Sequence, residues 1–164
     1  MEYYIVSVLV ENHFGVLTRV TSMFRRRGFN IDTLTVGETE SPEYSRITIS
    51  FTGDESIKKQ IISQLAKMPD VTKVEELNKE TSSVRELVLI KIQNNQEIRQ
   101  DVLAAVEVYR AKIVDYTSEA LTIEITGETH KLNAFIELVR PFGIIEICRT
   151  GIVALSRGKV SIKD

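Results

Sequence analysis

Apolar residues along this chain change period at defined points, and each change marks an element. Val6, Val8 and Val10 recur at period 2, which predicts a strand over 2–10. Leu17, Val20 and Phe24 then follow helical spacing, predicting a helix over 15–27. Strands at 31–38 and 44–52, a helix at 55–67 and a strand at 71–77 complete this first pass. In the second helix Ile57, Ile61 and Leu65 form an i, i+4, i+8 stripe, and Asp54 stands where an N-cap belongs. A second pass repeats the order: a strand at 85–93, a helix at 96–109, strands at 112–116 and 120–126, a helix at 130–139 and a strand at 144–149. Leu132, Phe135, Ile136 and Val139 give the last helix one apolar face.

Two βαββαβ passes predict an α+β protein of two ferredoxin-like units, each an antiparallel sheet with both helices on one face. The polar stretch from Asn78 to Ser83 has no apolar period, so the expected division is 1–77, a linker at 78–84, and 85–164. Both faces of the first strand are apolar: Tyr4, Val6, Val8 and Val10 point one way, Tyr3, Ile5 and Leu9 the other. A half-solvated antiparallel sheet needs only one such face. The second face is therefore expected to be covered by the other unit or by another subunit, with oligomerisation the preferred reading and cover by residues of its own domain the alternative.

Between the first strand and its helix lies Glu11-Asn12-His13-Phe14-Gly15. Asn12 can hydrogen-bond nearby backbone, and Gly15 lets a ligand or another chain come close. The free N–H groups and positive dipole end of the following helix can hold a carboxylate. Asn12 and loop carbonyls can receive an ammonium group. Together these features make half a receptor for a free amino acid.

Composition narrows the function further. The 164 residues are 43% hydrophobic, and 21 basic against 23 acidic side chains leave a net charge of −2. That balance gives no electrostatic case for nucleic acid or an anionic membrane. No apolar run approaches the roughly 20 residues that span a bilayer, and, with a strand expected from residue 2, no signal peptide is expected. A lone Cys148 excludes an internal disulfide framework, and a cytoplasmic protein is expected. No catalytic constellation or metal-ligand motif is present. His13 is read as a partly exposed loop side chain. His130 reads as a surface residue, and Cys148, next to Ile147 in a predicted strand, as a small hydrophobe. Arg25-Arg26-Arg27 sits in the last turn of the first helix, where each cation is worth about 0.3–1 kcal/mol against the dipole, ahead of a Gly28 C-cap. Tyr3, Tyr4 and Phe51 lack the Gly-Phe-x-Phe context of an RNA-binding sheet.

Asn12-His13-Phe14-Gly15-Val16-Leu17-Thr18-Arg19-Val20 resembles the strand–loop–helix signature of ACT domains, which sense the end products of amino-acid pathways. Arg27-Gly28-Phe29-Asn30-Ile31-Asp32-Thr33-Leu34-Thr35-Val36 is similar to one ACT family, the small regulatory subunit of acetolactate synthase (acetohydroxyacid synthase). So is Arg149-Thr150-Gly151-Ile152-Val153-Ala154-Leu155-Ser156-Arg157-Gly158. The three segments occur in order over nearly the whole chain. The chain departs from many ACT signatures in having Phe14 where proline precedes the glycine.

The resemblance implies a non-catalytic subunit that activates a large subunit carrying thiamine diphosphate, Mg²⁺ and FAD, with no cofactor of its own. It implies feedback inhibition by valine in branched-chain amino-acid biosynthesis. It also implies a homodimer through ACT domains, with Asn12, His13, Phe14, Gly15, Val16 and Leu17 of one protomer facing Asn30 and Ile31 of its partner around the effector. The other reading is a free-standing ACT sensor acting on a different target.

Overall fold

The computed structural model describes Met1–Lys163. By its contacts the chain divides into two units, one of Met1–Val84 together with the segment from Ile152 onward, the other of Arg85–Gly151.

In the first unit the strands are β1 (Glu2–Glu11), β2 (Thr33–Glu38), β3 (Tyr44–Gly53) and β4 (Val71–Glu76), and the helices are α1 (Val16–Arg27) and α2 (Glu55–Ala66). The sheet runs β2-β3-β1-β4 and every pairing is antiparallel. Val6 lies opposite Ile49 and Val8 opposite Ile47. With Tyr4, Val10 and Phe51 they bury one face of the sheet against Val16, Val20, Met23 and Phe24 of α1 and Ile61 and Leu65 of α2. Each fully buried aliphatic side chain is worth about 1.5–3 kcal/mol, so this layer dominates the stability of the unit. The helices end as their residues require. Asp54 accepts a hydrogen bond from the Ile57 N–H at 2.8 Å. Gly28 is left-handed (φ 69°), with its N–H on the Arg25 carbonyl and the Phe29 N–H on the Phe24 carbonyl, a Schellman cap beneath the three arginines.

The second unit repeats the topology. Its strands are β5 (Ser82–Gln93, which begins in the first unit), β6 (Lys112–Tyr116), β7 (Ala120–Gly127) and β8 (Ile144–Arg149). Its helices are α3 (Arg99–Tyr109) and α4 (Thr129–Val139). The order β6-β7-β5-β8 matches that of the first sheet. The pairings of β1 with β4 and of β5 with β8 also shift register at corresponding points, after Leu9 and after Lys91. Val88, Ile90 and Ile92 pack on the α4 face of Leu132, Phe135, Ile136 and Val139. Glu86 is buried, yet its carboxylate takes a bidentate pair from Arg149 at 2.7 and 2.8 Å, which offsets the cost of burying the charge.

Three expectations need correction. Residues from Ile152 onward, expected with the second unit, belong with the first, and Ser82 and Ser83 of the expected linker are already strand. A further short strand, β9 (Val153–Ser156), pairs with β5 and was not foreseen. It explains the second face of β1. Ile5 is buried among Leu77, Val84, Ile152 and Ala154, and Leu9 lines a cavity of about 270 Å³ with Leu155, Val160 and Ile162. The chain covers that face with its own C-terminal segment, so the apolar face does not call for another subunit. Helix α3 starts at Arg99 rather than 96: its first helical bond runs from the Val102 N–H to the Ile98 carbonyl at 3.0 Å, after a turn in which the Asn95 side chain accepts from the Ile98 N–H at 3.1 Å.

Candidate functional site

At the end of β1 the backbone turns sharply, with the His13 N–H on the Glu11 carbonyl at 3.2 Å. Asn12 pins the turn to the connection between β2 and β3. Its N–H reaches the Glu43 carbonyl at 2.7 Å and its Nδ2 the Pro42 carbonyl at 2.9 Å, so both bonds use donors and Oδ1 is an acceptor. Gly15 stands at the N-cap of α1 in the left-handed region (φ 89°, ψ −12°) and no side chain caps the helix. A Cβ there would meet nothing within 4 Å. The first regular helical bond is from Arg19 to the Gly15 carbonyl, at 3.0 Å. The N–H groups of Leu17 and Thr18 are thus left to an external acceptor, at the positive end of the dipole. Gly15 leaves the approach to them open.

Of the expected site residues, Phe14 is fully exposed and Leu17 is half exposed, while Val16 is buried in the core and offers only backbone to a ligand. Asn30 and Ile31 lie beyond the other end of α1. Asn30 is exposed and donates to Asp32 at 3.1 Å, and Ile31 packs partly against the core. The 12 residues of α1, about 18 Å at 1.5 Å per residue, run from the loop end to the end that leads into 30–31. One protomer brings 12–17 together and holds 30–31 apart from them.

Sequence reasoning missed what surrounds His13. The register shift after Leu9 lets the Glu11 N–H reach the Asp70 carbonyl at 2.9 Å. His13 Nε2 then lies 3.1 Å from Glu11 Oε2 and 3.3 Å from Asp70 Oδ1. Arg19 Nε lies 2.8 Å from Asp70 Oδ2, supplying the counter-charge that a carboxylate only 9% exposed requires. Nothing in the local pattern points to Asp70, because the fold alone brings that turn beside the loop.

Other candidates resolve simply. Tyr4 and Phe51 are buried with ring centroids 5.7 Å apart, beneath the helices rather than on an open sheet face, so they form no base-stacking platform. His130 is a surface residue beside Glu128. Cys148, read as a small hydrophobe, is exposed: opposite Leu89 it lies on the face of the sheet away from the helices. Among the described residues no helix is long and apolar enough to cross a membrane.

Residues 6–73, which hold the whole loop and α1, match the family described as the AHAS small subunit-like ACT domain, and residues 85–158 match the small subunit of acetolactate synthase. The chain belongs to the acetolactate synthase small-subunit family. It is 46% identical over 156 residues to the probable acetolactate synthase small subunit of Methanothermobacter thermautotrophicus, covering 94% of this chain and 93% of that one. The small subunit of Mycolicibacterium smegmatis is 46% identical over 153 residues, 93% of this chain and 90% of that one. The crystal structure of the acetolactate synthase small subunit from Thermotoga maritima superposes with a TM-score of 0.90 at 42% identity, covering 98% of this chain and all of that one. The small-subunit match at 85–158 takes in β9 as well, and so runs past the second unit into the strand that covers β1.

Proposed function

We propose that this chain is the regulatory subunit of an acetolactate synthase, that it raises the activity of the catalytic large subunit, and that its first unit binds valine as feedback inhibitor. The observation that carries the effector site is Gly15: a left-handed, unobstructed N-cap ahead of free helical N–H groups, beside the acceptor Oδ1 of Asn12. An α-amino acid presents a carboxylate and an ammonium group a few ångströms apart, and these are the two charges such a corner receives. Phe14 and Leu17 stand outward beside it and offer apolar contact to a branched side chain.

The length of α1, about 18 Å, between this corner and the end that leads into Asn30 supports a site completed by a second protomer, so the acting species is a homodimer through the first units. Thiamine diphosphate, Mg²⁺ and FAD belong to the large subunit, and this chain acts on their chemistry only through assembly. Valine inhibits because it binds more tightly to the less active arrangement of the complex; equal affinity for both would shift nothing.

The test is titration of the pure chain into its large subunit, following acetolactate formation with and without valine. The rate should rise to a plateau at a fixed subunit ratio and fall when valine is added. An unchanged rate across the titration would refute activation, and an activated but valine-insensitive complex would refute the effector reading alone.

A further inference from the structure

Glu11, His13 and Asp70 converge three metal-ligating atoms on one point at the foot of the loop. His13 Nε2 lies 3.1 Å from Glu11 Oε2 and 3.3 Å from Asp70 Oδ1, and all three atoms lie within 4.8 Å of one another. Donors bonded at about 2.0–2.1 Å to a tetrahedral ion stand roughly 3.3 Å apart, so two edges of such a site already have their length.

The orientation of the ring strengthens the case. His13 Nδ1 lies 3.2 Å from the Phe14 carbonyl, which can only accept. Without an ion, the Glu11 and Asp70 carboxylates can accept a proton from Nε2; a bound cation would take the place of that proton between the same oxygens, with Nδ1 still donating to the carbonyl. A metal-bound imidazole is held in this way, one nitrogen donating to a backbone carbonyl and the other facing the ion. Asp70 is oriented in turn by Arg19, at 2.8 Å to Oδ2 and 3.0 Å to Oδ1.

We propose that Glu11, His13 and Asp70 form a site for a divalent transition-metal ion of the zinc type, with a fourth position open to water. One imidazole and two carboxylates suit such an ion better than Mg²⁺ or Ca²⁺, which take oxygen ligands. The ion ties His13 to β1 and to the turn ahead of β4, and so steadies the loop that leads into Gly15. On the reading of that loop as the valine site, the ion tightens valine binding by ordering the loop beforehand. The metal site itself does not depend on that reading.

The test uses the full chain, stripped with EDTA, in a Cys148→Ser background that removes the exposed thiol. Zn²⁺ is titrated calorimetrically near neutral pH into this protein and into its His13→Gln and His130→Gln derivatives. About one ion per chain should bind with micromolar affinity, His13→Gln should weaken it about tenfold or more, and His130→Gln should leave it unchanged. Zn²⁺ should raise Tm, and EDTA should reverse the rise. No uptake, or equal uptake by the His13→Gln chain, overturns the proposal. A valine titration on the same samples separates the two readings: valine binding without Zn²⁺ uptake refutes the metal site, and Zn²⁺ uptake without valine binding supports it and refutes the effector site.

Discussion

Gly15 combines two properties that mutation can separate. Its φ of 89° disfavours any L side chain, while the space around a Cβ is empty. Alanine there meets only the left-handed strain, about 1–2 kcal/mol, and should lower Tm by about 2–8 °C while leaving valine inhibition in place. Aspartate meets similar strain, eased by its tolerance of that region and by the helix dipole, but sets a negative charge where the effector carboxylate binds. At about 4 Å and an effective dielectric near 20 the repulsion is about 4 kcal/mol before screening, which weakens binding about a hundredfold or more. Reconstituted with the large subunit, Gly15→Asp should still activate and no longer respond to valine. Inhibition curves for the two variants decide the matter, since wild-type sensitivity in Gly15→Asp would move the site elsewhere.

Local elements were legible because their signals are local. The stripe of α2, its Asp54 cap and the Gly28 terminus of α1 each depend on residues a few positions apart, and each formed where the pattern placed it. What was hidden depends on packing at long range. Val153–Ser156 is too short to show a period, and its role emerges only when Ile152 and Ala154 close over Ile5, far away in sequence. Likewise His13 was visible in the loop, but its partner Asp70 was not. The C-terminal segment also yields a test of the domain division. Ile152→Ala removes a side chain only 1% exposed and should cost about 2–4 kcal/mol. If the segment folds with the first unit, native-state hydrogen exchange should speed up in β1 and β3 and stay constant in β7. The opposite pattern would return these residues to the second unit.

For the whole molecule, the separation of the two halves of the proposed site has a consequence that no single variant reveals. In a two-fold dimer each site would take its loop from one protomer and Asn30 from the other, and each dimer would hold two such sites. Gly15→Asp damages a site through the loop, and Asn30→Ala damages it through the opposite edge, where the exposed amide donates to Asp32. Each homodimer should therefore have both its sites impaired. In a mixed dimer both lesions fall in one site and the other is intact. Random exchange of equal amounts makes half of the dimers mixed, so about a quarter of all sites regain the native composition. Valine inhibition should accordingly be weak with either variant alone and partly return when the two are mixed before the large subunit is added. A site built within one protomer predicts no recovery at any ratio, and sedimentation of the mixture, which should contain dimers throughout, shows whether the protomers were paired at all.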